Sequence, residues 1–499
     1  MDTASTAATL PKLKNWFGLN PMQIEYVGAS TSLGAILGLL IIATAVGPRF
    51  SRKTILLLDS AAYVAGFVLV GVAPSYTVCI VGRTILGVAH GVSTMIVPVY
   101  VGEISPKEYR GLFISLNTAA LNLGLPVGFG LAMVLESQHL NVTKWLFVIN
   151  GALSLLIAFL MAFFVPNSPR DLVFRGKIKE AQNVIKRLNY PDTLSQEEMI
   201  EEVNVLIKVF DDNKKAQFKD LFTQRNNLQA LVIACVLQIA KQSSGFTALQ
   251  YFSGYLFRLT GYASGMVGMN QLPNLLLGLA QFMMAVGSLL TIDHLGRRRL
   301  LLISTVAMAV GLVVLGGSFV ILTGFEQINN PRCEDYSRCG SCALDTKCGW
   351  AANMGQCMPQ HASRPTMMDS NSVVLLSDTC HLQSTRDHVG SWMAIVSLIF
   401  SLGSFSLGLG SIPWVIQAEM FGQALRSKAG SVATIANWLF SFIWTVSFLQ
   451  LAFTITLPGI FWLYSVLLVT TLASVYWKIP ETKGKALEEI SANISGLAD

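Results

Sequence analysis

Asp293-His294-Leu295-Gly296-Arg297-Arg298-Arg299 is a seven-residue island of charge between two apolar runs, 274–292 and 300–322. Each run is long enough to cross a bilayer, because about 20 apolar residues at 1.5 Å rise span the hydrocarbon core. Three adjacent arginines do not stay in lipid, so the pattern places this loop at a membrane face. The excess of Lys and Arg in short loops predicts that this face is cytoplasmic. A weaker copy appears earlier as Pro48-Arg49-Phe50-Ser51-Arg52-Lys53, again between apolar runs. Two spans after each basic loop comes a matched pair at the same offset, Glu103 with Arg110 and Glu419 with Arg426. A basic hairpin, two helices and a Glu/Arg pair, all present twice, describe an internally duplicated membrane protein.

Composition supports this. Across 499 residues, 52% are hydrophobic and only 13% charged, with mean hydropathy +0.53. A soluble chain carries about a quarter charged residues, so lipid is the main solvent here. The net charge of +6 sits in short loops, where it reports orientation. Aromatics interleaved with basic residues, which a nucleic-acid site needs, are absent. No P-loop, metalloprotease helix, nucleophile elbow or dinucleotide fingerprint occurs, and the six histidines form no close-spaced ligand pair. The expectation is therefore no enzyme, no cofactor, no metal and no nucleic-acid partner.

Apolar runs predict eleven spans, at about 24–46, 54–74, 77–101, 112–135, 145–165, 227–257, 268–291, 300–323, 389–412, 427–452 and 457–477. They divide into an N-terminal segment (1–23), a first transmembrane half (24–165), a second half (227–477) and a cytosolic tail (478–499). Between the halves, 166–226 is charged and mixed in sign, with apolar residues three and four apart in 178–188 and 197–210. That pattern predicts short amphipathic cytosolic helices. Met1–Asn20 is polar with no apolar signal core, so insertion is expected to rely on the spans themselves. The face opposite the basic loops carries the sequon Asn141-Val142-Thr143, a candidate glycosylation site, and a loop over 324–388 with six of the eight cysteines. Cys333, Cys339, Cys342, Cys348, Cys357 and Cys380 are expected to form disulfides in an oxidising compartment. Six cysteines allow 15 connectivities, and spacing does not choose among them. Cys79 and Cys235 stand alone in apolar runs as small hydrophobes.

Four motifs carry a family resemblance: Gly82-Arg83-x-x-x-Gly87, Pro98-x-Tyr100-x-x-Glu103-x-Ser105-Pro106-x-x-x-Arg110-Gly111, Asp293-x-x-Gly296-Arg297-Arg298 and Pro480-Glu481-Thr482-Lys483-Gly484. Together they resemble the sugar porter family of the major facilitator superfamily over nearly the whole chain. The six-cysteine loop, with Cys348-Gly349-Trp350, is similar to that of the proton-coupled myo-inositol transporters and to the small plexin–semaphorin–integrin cysteine module. The resemblance implies an all-α bundle of two pseudo-repeated halves, with twelve helices where eleven are counted. The family's first helix is thus expected to be absent. It also implies a multi-pass protein, most simply of the plasma membrane, that carries a sugar or polyol by alternating access. Myo-inositol is the first candidate, and protons are possible co-substrates.

Site residues follow from both sources. Gln238, Lys241, Gln242 and Gly245 share one helical face through offsets of three and four, and amides suit a polyol. Lys241 is expected to face the central cavity and to favour a substrate with strong acceptors, including anionic polyol derivatives. Resemblance adds Gln281, Trp414, Asn437 and Trp438 as substrate contacts, with Gly408–Trp414 as a broken helix. Basic side chains at helix ends can latch the cytoplasmic face. The latch candidates are Arg52, Glu103, Arg110, Asp293, Arg297, Glu419 and Arg426. Arg83 matches the family arginine whose partner is an Asp on the first helix. With that helix missing, no partner is expected: Asp2 sits in no apolar span and Asp59 lies near the cytoplasmic end. Departures from the family pattern are Leu125, Lys241, Thr247 and Gln281 in the site, Pro48 and Ser51 in the first basic loop, and Asn167 and Asp171 after the first half. The changes at Leu125, Lys241 and Thr247 keep open a second function, a receptor or sensor that retained the scaffold and lost transport.

Overall fold

The computed structural model describes residues 1–42, 49–105, 110–188, 218–260, 271–324, 342, 348–351, 356–359, 366–369, 372–377, 385–421 and 423–478. In the first half, α1 (Asp2–Phe17), α2 (Pro21–Ile41), α3 (Arg52–Gly71), α4 (Tyr76–Ile104), α5 (Arg110–Ser137) and α6 (Val142–Phe164) follow one another. Three short helices come next: α7 (Pro169–Phe174), α8 (Ile178–Leu188) and α9 (Asp220–Thr223). The second half holds α10 (Arg225–Ser243), α11 (Phe246–Leu259), α12 (Leu272–Leu295), α13 (Arg297–Thr323), α14 (Thr385–Leu407), α15 (Ile412–Glu419), α16 (Gln423–Val446), α17 (Phe448–Ile455) and α18 (Leu457–Lys478). Eleven helical stretches are long and apolar enough to cross a membrane, and each coincides with one of the expected spans.

A further helix, α1, packs where the first helix was expected to be absent, which corrects that expectation, although α1 is not one of the eleven helices long and apolar enough to span. α1 packs against α5, α6 and α11. Its 16 residues cover about 24 Å at 1.5 Å rise. It escaped hydropathy because its neighbours are protein rather than lipid. Residues 4–10, Ala-Ser-Thr-Ala-Ala-Thr-Leu, are all buried. Small side chains let helices approach closely in a membrane bundle. Their hydroxyls are satisfied within the helix or by neighbours. Ser5 Oγ donates to Met1 O at 2.9 Å, Thr9 Oγ1 donates to Ser5 O at 2.7 Å, and Asn150 Nδ2 of α6 donates to Ser5 Oγ at 2.7 Å. α6 is the contrast: Leu155, Phe159, Phe163 and Phe164 are exposed along it, as a lipid-facing helix requires.

Three spans are broken near the centre or end of the bundle, between α10 and α11, α14 and α15, and α16 and α17. At the first break Gly245 has φ +74°, and a Cβ there would lie 2.3 Å from the Tyr464 ring. Only glycine meets both conditions. At the second, Ser304 Oγ accepts the Leu409 N–H at 2.8 Å, satisfying backbone that the break exposes.

Both ends of the bundle are tied. At the arginine-loop end, Ser168 Oγ, just before α7, donates to Glu103 Oε2 at 2.5 Å, and Arg175 Nη1 donates to Arg49 O at 3.1 Å. Leu172, Val173, Ala181 and Ile185 of α7 and α8 form their own apolar cluster. The second amphipathic stretch, 197–210, lies outside the described residues. At the opposite end, Glu25 of α2 is buried. Its Oε1 accepts the N–H groups of Leu449 (2.6 Å) and Gln450 (3.0 Å) at the start of α17. A carboxylate from one half thus caps a helix of the other, and each hydrogen bond to a charged group contributes about 1.5–3 kcal/mol. Glu25→Gln is expected to loosen this end. Spin labels at Trp16 and Ile455, exposed on opposite halves, should then show a distance distribution shifted to longer values. An unchanged distribution would contradict the tie.

Beyond α13 the described strands β1 (Cys348–Ala351), β2 (Gln356–Pro359), β3 (Thr366–Asp369) and β4 (Ser372–Ser377) pair in the order β2-β1-β4-β3. Cys342 is bonded to Cys357, and Cys348 is also disulfide-bonded. Cys333, Cys339 and Cys380 lie outside the described residues. Cys79 and Cys235 are free thiols.

Candidate functional site

The amide-rich face of α10 meets the broken helices of the second half. Gln238 Nε2 donates to Gln417 Oε1 of α15 at 2.9 Å. One turn on, Gln242 Nε2 donates to Asn437 Oδ1 of α16 at 2.8 Å, and Gln242 Oε1 accepts from Thr247 Oγ1 of α11 at 2.7 Å. Lys241 holds its ammonium 4.7 Å from the centroid of the Trp414 ring. A cation on an aromatic face recovers up to about 2 kcal/mol when desolvated, against about 2.5–3.5 kcal/mol for placing lysine at mid-membrane. Gln281 of α12 is tied to α11 through its Nε2 on Gln250 Oε1 at 2.6 Å. The other half reaches this region through His90 of α4, which meets the Trp438 ring edge-on at 5.1 Å between centroids. Expected contacts from α10, α15 and α16 are therefore brought together, and Gln281 sits in a pair of its own.

A second buried cluster joins α1 to α4. Arg83 is fully buried, and each arm of its guanidinium has a partner. Nε donates to Val27 O at 2.6 Å, Nη2 to Thr31 Oγ1 at 2.6 Å, and Nη1 to Asp2 Oδ1 at 3.2 Å and to Thr6 Oγ1. Asp2, buried at the start of α1, is thus the counter-ion, which corrects the expectation that Arg83 has none. Its other oxygen, Oδ2, is buried without a hydrogen-bond partner. The guanidinium also lies 5.7 Å from the Tyr251 ring of α11, so an ion pair of the first half touches the second. Asp59 takes no part: its Oδ2 accepts from Ser93 Oγ at 2.5 Å.

The model of the family "Sugar (and other) transporter" matches residues 4–330 and 369–493. The chain belongs to this family. Relatives include the human proton myo-inositol cotransporter, 25% identical over 98% of this chain and 79% of that protein. The proton myo-inositol cotransporter hmit-1.2 of Caenorhabditis elegans is 27% identical over 98% and 86%. Human facilitated glucose transporter member 12 of solute carrier family 2 is 26% identical over 98% and 82%. Among solved structures, the proton:xylose symporter XylE bound to 6-bromo-6-deoxy-D-glucose superposes with TM-score 0.71 at 20% identity, covering 99% of this chain and 95% of that one. The inward-open xylose transporter XylE from E. coli gives 0.69 at 20% identity, over 99% and 95%. The fold is thus that of the major facilitator superfamily, and the protein is a membrane transporter rather than an enzyme.

In this sugar porter the basic loops meet the two membrane-edge glutamates. Arg52 Nε lies 2.6 Å from Glu103 Oε2, joining α3 to α4, and Arg297 Nη2 lies 3.3 Å from Glu419 Oε1, joining α13 to α15. Arg298 turns to α18, stacking on Tyr476 at 5.5 Å. The side chains of Arg110, Asp293 and Arg426 lie outside what the structure describes. Sequence reasoning set Asp2 aside and missed Thr6, Thr31, Tyr251, His90, Gln250 and Gln417. A usable signal existed for two of them: Asp2 and Thr6, four apart, share a helix face.

Proposed function

We propose that this porter couples entry of a sugar or polyol, with myo-inositol the first candidate, to a proton by alternating access at the plasma membrane. The observation that carries the coupling is the buried Asp2–Arg83 pair with its unpartnered Asp2 Oδ2. A buried ion pair is often no more stable than a well-packed apolar replacement. Its presence therefore supports a working role over an idle scaffold. A proton on Asp2 cancels the attraction to Arg83. Arg83 then retains Thr6, Thr31 and the Val27 carbonyl but loses its counter-charge, while still stacked on α11 of the other half. That contact transmits the change to the α10–α11 break beside Gln242. Substrate hydroxyls are bound by Gln238, Gln242, Asn437 and Gln281, with Trp414 and Trp438 against the ring. The Arg52–Glu103 and Arg297–Glu419 pairs, with Arg110, Asp293 and Arg426, serve as the cytoplasmic latch, whose few kcal/mol suit a two-state equilibrium. The two cotransporter relatives support the substrate choice. In this reading the disulfide-bonded loop is extracellular and Asn141, exposed before α6, is glycosylated. Purified protein in proteoliposomes should take up labelled myo-inositol severalfold faster under an inward proton gradient than without one. Uptake of no sugar, polyol or sugar acid above that of empty liposomes would contradict the proposal.

A further inference from the structure

The groups around the α10–α16 cluster divide unevenly by charge. Gln238, Gln242, Thr247 and Asn437 are neutral, and Lys241 is a cation. Among the described residues no carboxylate pairs with its ammonium, which lies against the Trp414 ring. The buried acids of the spans are engaged elsewhere: Asp2 on Arg83, Glu25 on the start of α17, and Asp59 on Ser93. Arg83, the other buried basic side chain, is already paired with Asp2. Buried polar atoms without partners are balanced between donors and acceptors: Trp438 Nε1 and Gln238 Oε1 on the elements of the cluster, and Gln250 Nε2 and Gln281 Oε1 in the separate α11–α12 pair. Balanced donors and acceptors match hydroxyl groups, which are both. One uncompensated positive charge matches one negative charge. An opposite charge within about 4–6 Å favours the charged form of a desolvated group, so a bound anion supplies what the site lacks.

We propose that the preferred substrate is a carboxylated sugar or polyol, a monoanion whose carboxylate pairs with Lys241 while its hydroxyls meet the surrounding amides. The inference rests on the carbohydrate-transport reading above and narrows it. A dianionic sugar phosphate would bring one charge more than Lys241 balances, so the carboxylate is the better match.

Matched probes test this, because D-glucuronate and D-glucose differ only in a carboxylate against a hydroxymethyl. Binding is measured by quenching of tryptophan fluorescence in purified protein, and transport by uptake into proteoliposomes. Wild type should bind D-glucuronate at least about tenfold more tightly than D-glucose, and D-glucose 6-phosphate more weakly than D-glucuronate; a tenfold ratio is the scale of one good charge pair. Lys241→Gln should bring the glucuronate-to-glucose ratio to one or below, and Lys241→Arg should keep it. Because the ratio is internal to each variant, partial loss of folded protein does not change it. Transport of D-glucose or myo-inositol with D-glucuronate excluded overturns this inference alone. A ratio unaltered in Lys241→Gln does the same. Absence of binding and transport for every probe overturns the carbohydrate reading and the inference together.

Discussion

Asp2→Asn is expected to abolish proton-driven accumulation while leaving exchange of labelled for unlabelled substrate across the same membrane. The asparagine has the shape of the protonated carboxyl and cannot release its proton, so it freezes one chemical state of the Asp2–Arg83 pair. Arg83 keeps its bonds to Val27 O, Thr31 and Thr6, so the bundle should remain assembled. Removing one partner of a buried pair costs about 3–5 kcal/mol when the remaining charge is left with nothing. The three retained acceptors place Asp2→Asn below that range. Arg83→Ala, which strips the carboxylate of its guanidinium and opens a cavity, belongs at its top. Accumulation should fall by at least about tenfold, the effect of a 1.4 kcal/mol change in driving force. An Asn variant that concentrates substrate like the wild type would remove Asp2 from the coupling mechanism.

Gly87→Val should damage the fold itself. α2 and α4 cross with their backbones in contact. A Cβ at Gly87 would lie 2.2 Å from Thr31 O and 2.9 Å from Gly34 Cα. Neither backbone atom can rotate away, so the helices must separate. Extra core volume usually costs about 1–3 kcal/mol, and contact with backbone puts this case at the upper end or above. In a bilayer no hydrophobic force restores the approach, because lipid is as apolar as the helix surface. The shift also moves Thr31, one of the ligands of Arg83, so function and assembly fail together. Gly317→Val is the matched control: a Cβ there meets nothing within 4 Å, and its effect should stay within about 0.5 kcal/mol. Thermal unfolding in detergent, followed by size-exclusion chromatography, distinguishes the two. Equal midpoints would contradict the close packing of α2 on α4.

The parts of this structure that face lipid could be read directly from sequence. The spans from α2 to α18 are apolar because hydrocarbon is their solvent, and the basic loops mark where each leaves it. α1 obeys a different rule. Its buried Ala, Ser and Thr residues face other helices, so hydropathy underrates them and leaves Asp2 in no apolar span. Helix-face periodicity placed Gln238, Lys241 and Gln242 together because all three lie on one helix. Pairs such as Gln281 with Gln250, or Gln238 with Gln417, join residues 31 and 179 positions apart. Only the tertiary fold brings such residues together. Arg83 shows both cases at once: its burial in an apolar span demanded a partner, and the partner lay in a helix that the same hydropathy criterion had hidden.

The most direct test of proton coupling is the movement of the proton itself. Proteoliposomes loaded with a pH-sensitive dye in weak buffer, with no imposed gradient, receive substrate on the outside. Wild type should acidify the lumen as substrate enters, with one proton per substrate molecule, and Asp2→Asn should transport substrate downhill with no pH change. Downhill uptake by the wild type without any lumenal acidification would contradict the account.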